Sequence, residues 1–227
     1  MTLVFIAAEA AEFSGILRHA SSVETLDWPL RFARQGILNG RRAVFAAHGP
    51  GPQLAAQVAR EAAKRLKNVE AFISTGFCGA LDAELRPGDI VIGNYVNGEA
   101  VRTPEIDIGH TQAPVVSEDR VACTVEEKRA LRKRGNAVEM EAAGVLNVAD
   151  ELRVPFYCVR AVTDAADEAL PLDFNIYRDK AGRFSRPRIV IAACRRPMRT
   201  FPALMRLQKN CKSAAAALGD FVANCRF

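Results

Sequence analysis

From Phe45 onward the chain alternates short apolar runs of strand length with longer segments of helical period, and few architectures accommodate that order. Ala71-Phe-Ile-Ser74, Asp89–Val96 and Phe156–Val162 read as strands. Between them lie helices over Gln53–Leu66, with Leu54, Val58, Ala62 and Leu66 on one face, and over Ala142–Leu152, with Ala142, Val145, Leu146, Ala149 and Leu152 facing the core. Val125–Arg134 reads as a charged surface helix. Strands separated in this way form a mostly parallel sheet covered on both faces. Upstream, Leu3–Ala7 is a buried strand that opens into a helix near Ala10. Asn39-Gly40 is a hairpin signal, with Arg42–Ala47 as the returning strand, which makes the sheet mixed. The fold class is α/β.

Composition excludes several functions. The 227 residues are 49% hydrophobic and 25% charged, enough for one buried core. No linker breaks the chain before residue 170, so 1–227 is expected to be a single domain with a basic excursion from about 171. No apolar run approaches the roughly 18 residues of a membrane helix. Met1–Glu9 lacks a basic start and meets a carboxylate early, so no signal peptide is expected. The six cysteines (78, 123, 158, 194, 211 and 225) and three histidines (His19, His48, His110) show neither zinc-ligand nor disulfide-scaffold spacing. The expectation is a cytoplasmic protein with reduced thiols, no metal and no cofactor.

The charge is uneven. Residues 178–212 hold 11 Lys/Arg and one acid, Asp179, leaving the rest of the chain net acidic. Phe201–Phe227 reads as a helix with Leu204, Leu207, Cys211, Ala215 and Leu218 at three- and four-residue spacing, and Arg206, Lys209 and Lys212 elsewhere. Such a helix suits docking on the core or lying on a membrane, and core docking is the expectation. A pI near 9.0 suggests nucleic acid, but three Tyr, one Trp and no basic-aromatic motif argue against that partner.

In open α/β sheets, ligands bind at the carboxyl ends of strands. Here those ends carry Glu9 and Glu12, then Gly49-Pro-Gly51, then Ser74-Thr75-Gly76, and last Thr163-Asp164; Glu139-Met140-Glu141 precedes a helix start. Together they suggest one pocket offering a general base and a general acid. Singly, each has a plainer reading. Glu12 and Glu141 suit first-turn positions favoured by a helix dipole, and Asp164 suits a turn cap. Gly49-Pro-Gly51 is no dinucleotide fingerprint, because Leu54 stands where the third glycine belongs. Phosphate-loop and nucleophile-elbow motifs are missing. Cys78 has no histidine in motif relation to it and reads as a small packed residue in the turn Ser74–Gly79.

Four strings carry a more specific signal: Ser74-Thr-Gly-Phe-Cys-Gly-Ala-Leu81, Leu85-Arg-Pro-Gly-Asp-Ile-Val91, Ala137-Val-Glu-Met-Glu-Ala-Ala143 and Val159-Arg-Ala-Val-Thr-Asp-Ala-Ala-Asp167. With Ala8-Glu-Ala-Ala-Glu12 at the first strand end, their order and spacing resemble the purine nucleoside phosphorylase/nucleosidase superfamily. The resemblance covers about residues 3–170 and is most diagnostic at Val138–Glu141. The short connection between Asp89 and Glu139 and the tail (Ala169-Leu-Pro171, Gly182-Arg183, Arg195-Arg-Pro197 and the final Ala/Leu helix) look most like the hopanoid-associated phosphorylases. The resemblance implies a three-layer α/β/α fold around a twisted mixed sheet, and a dimer or larger assembly. Position by position, it implies that Glu12 is the base activating water and Asp164 the acid beside the purine N7. Glu141 would grip the ribose hydroxyls and Met140 pack under the sugar. Ser74, Thr75, Gly76 and Phe77 would line the nucleophile pocket, with Glu139 and Gly49 also at the substrate.

The chemistry suits these residue types. Breaking an N-glycosidic bond leaves a purine anion unless N7 gains a proton, so a positioned carboxylic acid lowers the barrier, and burial helps it keep that proton. Water attacks the opposite face of an oxocarbenium-like sugar, by analogy with inverting glycoside hydrolysis. The Gly-Asp-Pro-x-Arg loop and the pre-turn arginine that phosphorylases use for phosphate are replaced by Glu9–Phe13 and Glu70–Ser74, which favours water. Phe77 stands where nucleosidases place a smaller or polar residue, making the pocket more apolar. The expected activity is a purine nucleosidase releasing adenine from a 5′-substituted adenosine, with lipid-linked adenosylhopane as the substrate the resemblance implies. The alternatives are a phosphate-dependent phosphorylase, a methylthioadenosine/S-adenosylhomocysteine or futalosine nucleosidase, and a non-catalytic nucleotide-binding module. The basic tail would then bring the site to the inner membrane face.

Overall fold

The computed structural model describes residues 1–106, 109–179, 182–194 and 197–227. Strand β1 (Thr2–Ala7) leads into a 3-10 turn (Ala10–Phe13) and the short α1 (Ile16–His19). Strands β2 (Ser21–Thr25), β3 (Phe32–Leu38) and β4 (Arg41–Ala47) follow, β3 and β4 pairing antiparallel across Asn39-Gly40 as the hairpin signal requires. Helix α2 (Pro52–Arg65) connects to β5 (Val69–Ala80), then come β6 (Ile90–Val96), β7 (Glu99–Ala100) and β8 (Thr111–Ser117). Helix α3 (Val125–Leu131), β9 (Ala137–Glu139), α4 (Ala142–Leu152) and β10 (Phe156–Asp164) complete the sheet region. The tail adds a 3-10 turn (Phe174–Tyr177), α5 (Arg186–Cys194) and α6 (Pro197–Val222).

The sheet is mixed and partly closes on itself. β5 pairs parallel with β10, β10 antiparallel with β6, β6 parallel with β8, β8 parallel with β9, and β9 antiparallel with β5 again. From this ring the order runs on through β1, β4, β3 and β2. The alternation of side chains along β1 shows why two helical layers are needed. Val4 and Ile6 pack with Ala55 and Val58 of α2 and Val145 of α4, whereas Leu3, Phe5 and Ala7 pack with Ile16 of α1 and Ala214, Leu218 and Phe221 of α6. This is the expected three-layer α/β/α arrangement. The helix α6 docks closely: a Cβ on Gly219 would overlap the backbone of Gly15, and one on Gly15 the carbonyl of Ala215. Among the described residues no helix is long and apolar enough to cross a membrane.

Five readings need correction. Ser74–Gly79 is strand, not turn: β5 continues to Ala80 because β10 supplies backbone partners from Phe72 through Gly79. The charged helix α3 ends at Leu131, and its Lys128 is buried rather than on the surface. Leu152 is 46% exposed, since α4 leaves the core at its last turn. The segment near Ala10 forms a 3-10 turn before α1. The final helix runs from Pro197 to Val222, and the excursion before it contains α5.

Candidate active site

The carboxyl ends of β1, β5 and β10, with the start of α4, converge on a cavity of about 460 Å³. Glu12, Glu139, Glu141 and Asp164 line it, together with Phe77, Cys78, Gly79 and Met140. The carboxylates come together although they lie far apart in sequence, because β1, β5 and β10 are neighbours in the sheet and end at the same side.

Glu12 sits in the 3-10 turn after β1 and is buried. Its Oε1 accepts the Glu9 N–H at 2.7 Å and its Oε2 accepts the Phe77 N–H at 2.9 Å. Burial outweighs these bonds and the nearby Arg160, pushing the carboxyl up to about 7. Gly76 makes the approach possible: its φ is +132°, and a Cβ there would collide with the Glu12 carboxylate.

Arg160, the largest fully buried side chain among the described residues, is the organiser that the sequence reading did not single out. It lies on β10 opposite Gly76. Its guanidinium pairs with Glu139, donates to Glu141 Oε2 at 3.3 Å and to the Thr75 carbonyl at 3.1 Å, and donates to Ser74 Oγ. Burial works against its charge, but Glu139, Glu141 and Glu12 outweigh that and hold it protonated. The available signal was an arginine inside an otherwise apolar strand, which requires buried carboxylates nearby.

Glu139 also accepts the backbone N–H groups of Glu141 and Ala142 at 2.9 Å, so its carboxylate caps the start of α4. Glu141 takes the Gly51 N–H on Oε1 at 3.2 Å. Burial raises its carboxyl to about 8; Arg160 opposes this, while Glu139 and Glu12 add to it. The pocket therefore contains two carboxyl groups that change charge near neutrality, which is the range a general base requires.

Asp164, at the end of β10, is 6% exposed. Lys128 donates to its Oδ2 at 2.6 Å, and Thr163 Oγ1 lies 2.7 Å from its Oδ1. Cys78 is buried with its thiol pushed well above the ordinary value by desolvation, so it is a poor nucleophile.

The other candidate residues fall in three groups. Phe77 and Met140 are at the cavity wall. Ser74 and Thr75 are fully buried and support Arg160 through the hydroxyl of one and the carbonyl of the other. Gly49 packs against Arg183 and Leu54, and Gly51 rather than Gly49 contacts Glu141. The tail contributes an apolar wall that sequence reading did not foresee: Leu170, Phe174, Phe184, Ile189, Leu207 and Cys211 face the same cavity.

A model of the phosphorylase superfamily matches residues 3–118 and 114–186. The 5′-methylthioadenosine/S-adenosylhomocysteine nucleosidase of Staphylococcus epidermidis is 27% identical over 180 residues, covering 64% of this chain and 78% of that protein. The solved nucleosidase of the same name from Neisseria meningitidis, in complex with methylthio-immucillin-A, superposes with a TM-score of 0.72 at 24% identity, over 98% of this chain and 97% of that one. Futalosine hydrolase of Helicobacter pylori superposes with a TM-score of 0.70 at 17% identity, over 99% and 96%. The family model spans most of the chain, and the carboxyl groups of its strand ends share one cavity: the chain belongs to the phosphorylase superfamily, as an enzyme of its nucleosidase and nucleoside phosphorylase type.

Proposed function

We propose that the protein hydrolyses the N-glycosidic bond of a 5′-substituted adenosine, with Glu12 as the base for water, Asp164 as the acid for the purine N7 and Glu141 as the acceptor for the ribose hydroxyls. The observation that carries this reading is the grouping of Glu12, Glu141 and Asp164 on one cavity with a single internal cation between the first two. Positioned carboxylates of this kind contribute through orientation and proton transfer at once. Water is favoured over phosphate because Arg160 is already engaged by Glu139 and Glu141. That guanidinium is thereby committed to the protein's own glutamates rather than offered to a phosphate dianion.

The substrate is an adenosine with a bulky apolar 5′ substituent, adenosylhopane, which would place the reaction in hopanoid biosynthesis. The tail's apolar wall and Phe77 support that choice over a small thioether. We further propose a cytoplasmic dimer whose tail touches the membrane holding this lipid. Of the nine large apolar side chains that stand out as exposed among the described residues, six lie between residues 176 and 205: Ile176, Val190, Ile191, Met198, Phe201 and Met205. The same segment is rich in Lys and Arg, which suits an anionic surface.

Adenine release from adenosylhopane, methylthioadenosine and S-adenosylhomocysteine, with and without phosphate, tests the activity. Preference for adenosylhopane with no phosphate requirement is expected, and strict phosphate dependence would overturn hydrolysis. Flotation with anionic liposomes tests the membrane contact, and failure to float would remove it.

A further inference from the structure

Two cationic side chains are buried among the described residues, Arg160 and Lys128, and the chemistry above leaves the second without a task. Lys128 projects from α3, whose start is fixed by Thr124 accepting the Glu127 N–H and by Glu127 accepting the Thr124 N–H in return. The ammonium donates to Asp164 Oδ2 at 2.6 Å, to the Ala165 carbonyl at 2.6 Å and to the Glu168 carbonyl at 2.8 Å. All three of its protons are used, two of them on the backbone that leaves β10, so its direction is fixed.

Asp164 Oδ1 has a different neighbour. Thr163 Oγ1 lies 2.7 Å from it and 3.2 Å from the Cys78 carbonyl oxygen. A hydroxyl has one proton and cannot donate to both. The shorter contact takes it: Thr163 donates to Oδ1 and anchors that end of the carboxyl group. Oδ2 is thus tied to the ammonium and Oδ1 to the hydroxyl, which fixes the rotation of the carboxyl group.

We propose that Lys128 is a positioning residue for the leaving-group acid: by donating to Oδ2 it fixes the rotation of the carboxyl group and leaves Oδ1 as the oxygen that exchanges a proton with the purine. The proposal rests on the reading of Asp164 as that acid. In the step, the Oδ1–H bond breaks and an N7–H bond forms. The electron pair of the glycosidic bond goes to the purine. Water adds to the sugar carbon, its proton passes to Glu12, and Lys128 holds the resulting Asp164 carboxylate in place.

The test compares two leaving groups. One is the adenine of whichever proposed substrate (adenosylhopane, methylthioadenosine or S-adenosylhomocysteine) the wild type cleaves fastest. The other is the nitrophenolate of p-nitrophenyl β-ribofuranoside, which departs without protonation. Lys128→Met should lower kcat for adenine release by about 10²-fold or more with little change in KM, and spare nitrophenolate release. Propylammonium added to Lys128→Ala should restore part of the adenine rate, and this arm stands alone if the wild type does not take the phenyl riboside. Lys128→Gln, which still donates to Oδ2, should fall between Met and wild type, and it replaces Met if that variant does not unfold cooperatively. Equal losses on both leaving groups, or no recovery with propylammonium, would overturn the proposal. Asp164→Asn separates the two levels. If it releases adenine normally, the reading of Asp164 fails; if it does not while Lys128→Met does, only the role of Lys128 fails.

Discussion

Replacing Glu12 by Gln should change how stability depends on pH, and the size of the effect follows from the site. In the unfolded chain the carboxyl ionises near 4.5; in the fold, burial holds it neutral up to about 7. The folded state thus binds the extra proton across that window, so stability is present below 4.5 and is lost as pH rises towards 7. The loss amounts to about 3 kcal/mol. Glutamine has no such ionisation. It does turn an amide NH2 towards one of the two N–H donors, from Glu9 or Phe77, that the carboxylate accepts. That mismatch costs about 1–3 kcal/mol at every pH, so the absolute stability of the variant is uninformative and the pH dependence is the signature. Urea unfolding of both proteins at about pH 5 and about pH 8 should show the variant gaining about 3 kcal/mol on the wild type, on the order of 6–12 °C in Tm. Glu141 acts in the same direction, because loss of the Glu12 charge eases its own ionisation. In parallel, adenine release by the variant should fall by at least about 10²-fold. The wild-type kcat/KM should rise with pH through about 7 and 8, as Glu12 and Glu141 ionise. A stability gap equal at the two pH values would refute the buried-carboxyl argument.

Arg160→Met should destabilise the fold by about 3–5 kcal/mol, because Glu139 and Glu141 lose the cation between them; thermal unfolding measures this, and a loss below about 1 kcal/mol would mean the carboxyls are neutral without it. Gly76→Ala should abolish adenine release, because its Cβ meets the Glu12 carboxylate at a φ of +132°. Retained activity with an unchanged pH profile would show that Glu12 has room to move.

Much of the frame was legible because local patterns and the sheet agree. The apolar run of β1, the Asn39-Gly40 hairpin and the face of α2 each report a contact that the fold makes. The end of β5 was misread for a physical reason. Thr75-Gly76 carries turn chemistry, yet the glycine is there to admit a side chain from another strand end, and no window around residue 76 contains that information. The three carboxylates stood out as polar residues where apolar strands stop. Arg160 was harder, because its partners come from 19 and 21 positions away, at Glu141 and Glu139. Lys128 was hidden by its setting: α3 is charged on nearly every side, and only the loop after β10 shows which of those charges is enclosed.

Closure of β5, β10, β6, β8 and β9 into a ring has a consequence for how substrates diversify. Glu139, Phe77, Arg160 and Asp164 all stand on members of that ring, and no strand in it shifts without breaking a ladder on either side. The floor of the pocket is thus a hoop of fixed circumference, suited to a part of the substrate that never varies. Leu170, Phe174, Phe184, Ile189 and Leu207 hang over it from segments outside the sheet. Remodelling those five leaves every ladder intact, so descendants of this fold would exchange the group they accept by rewriting the tail while keeping the same bond-breaking hearth.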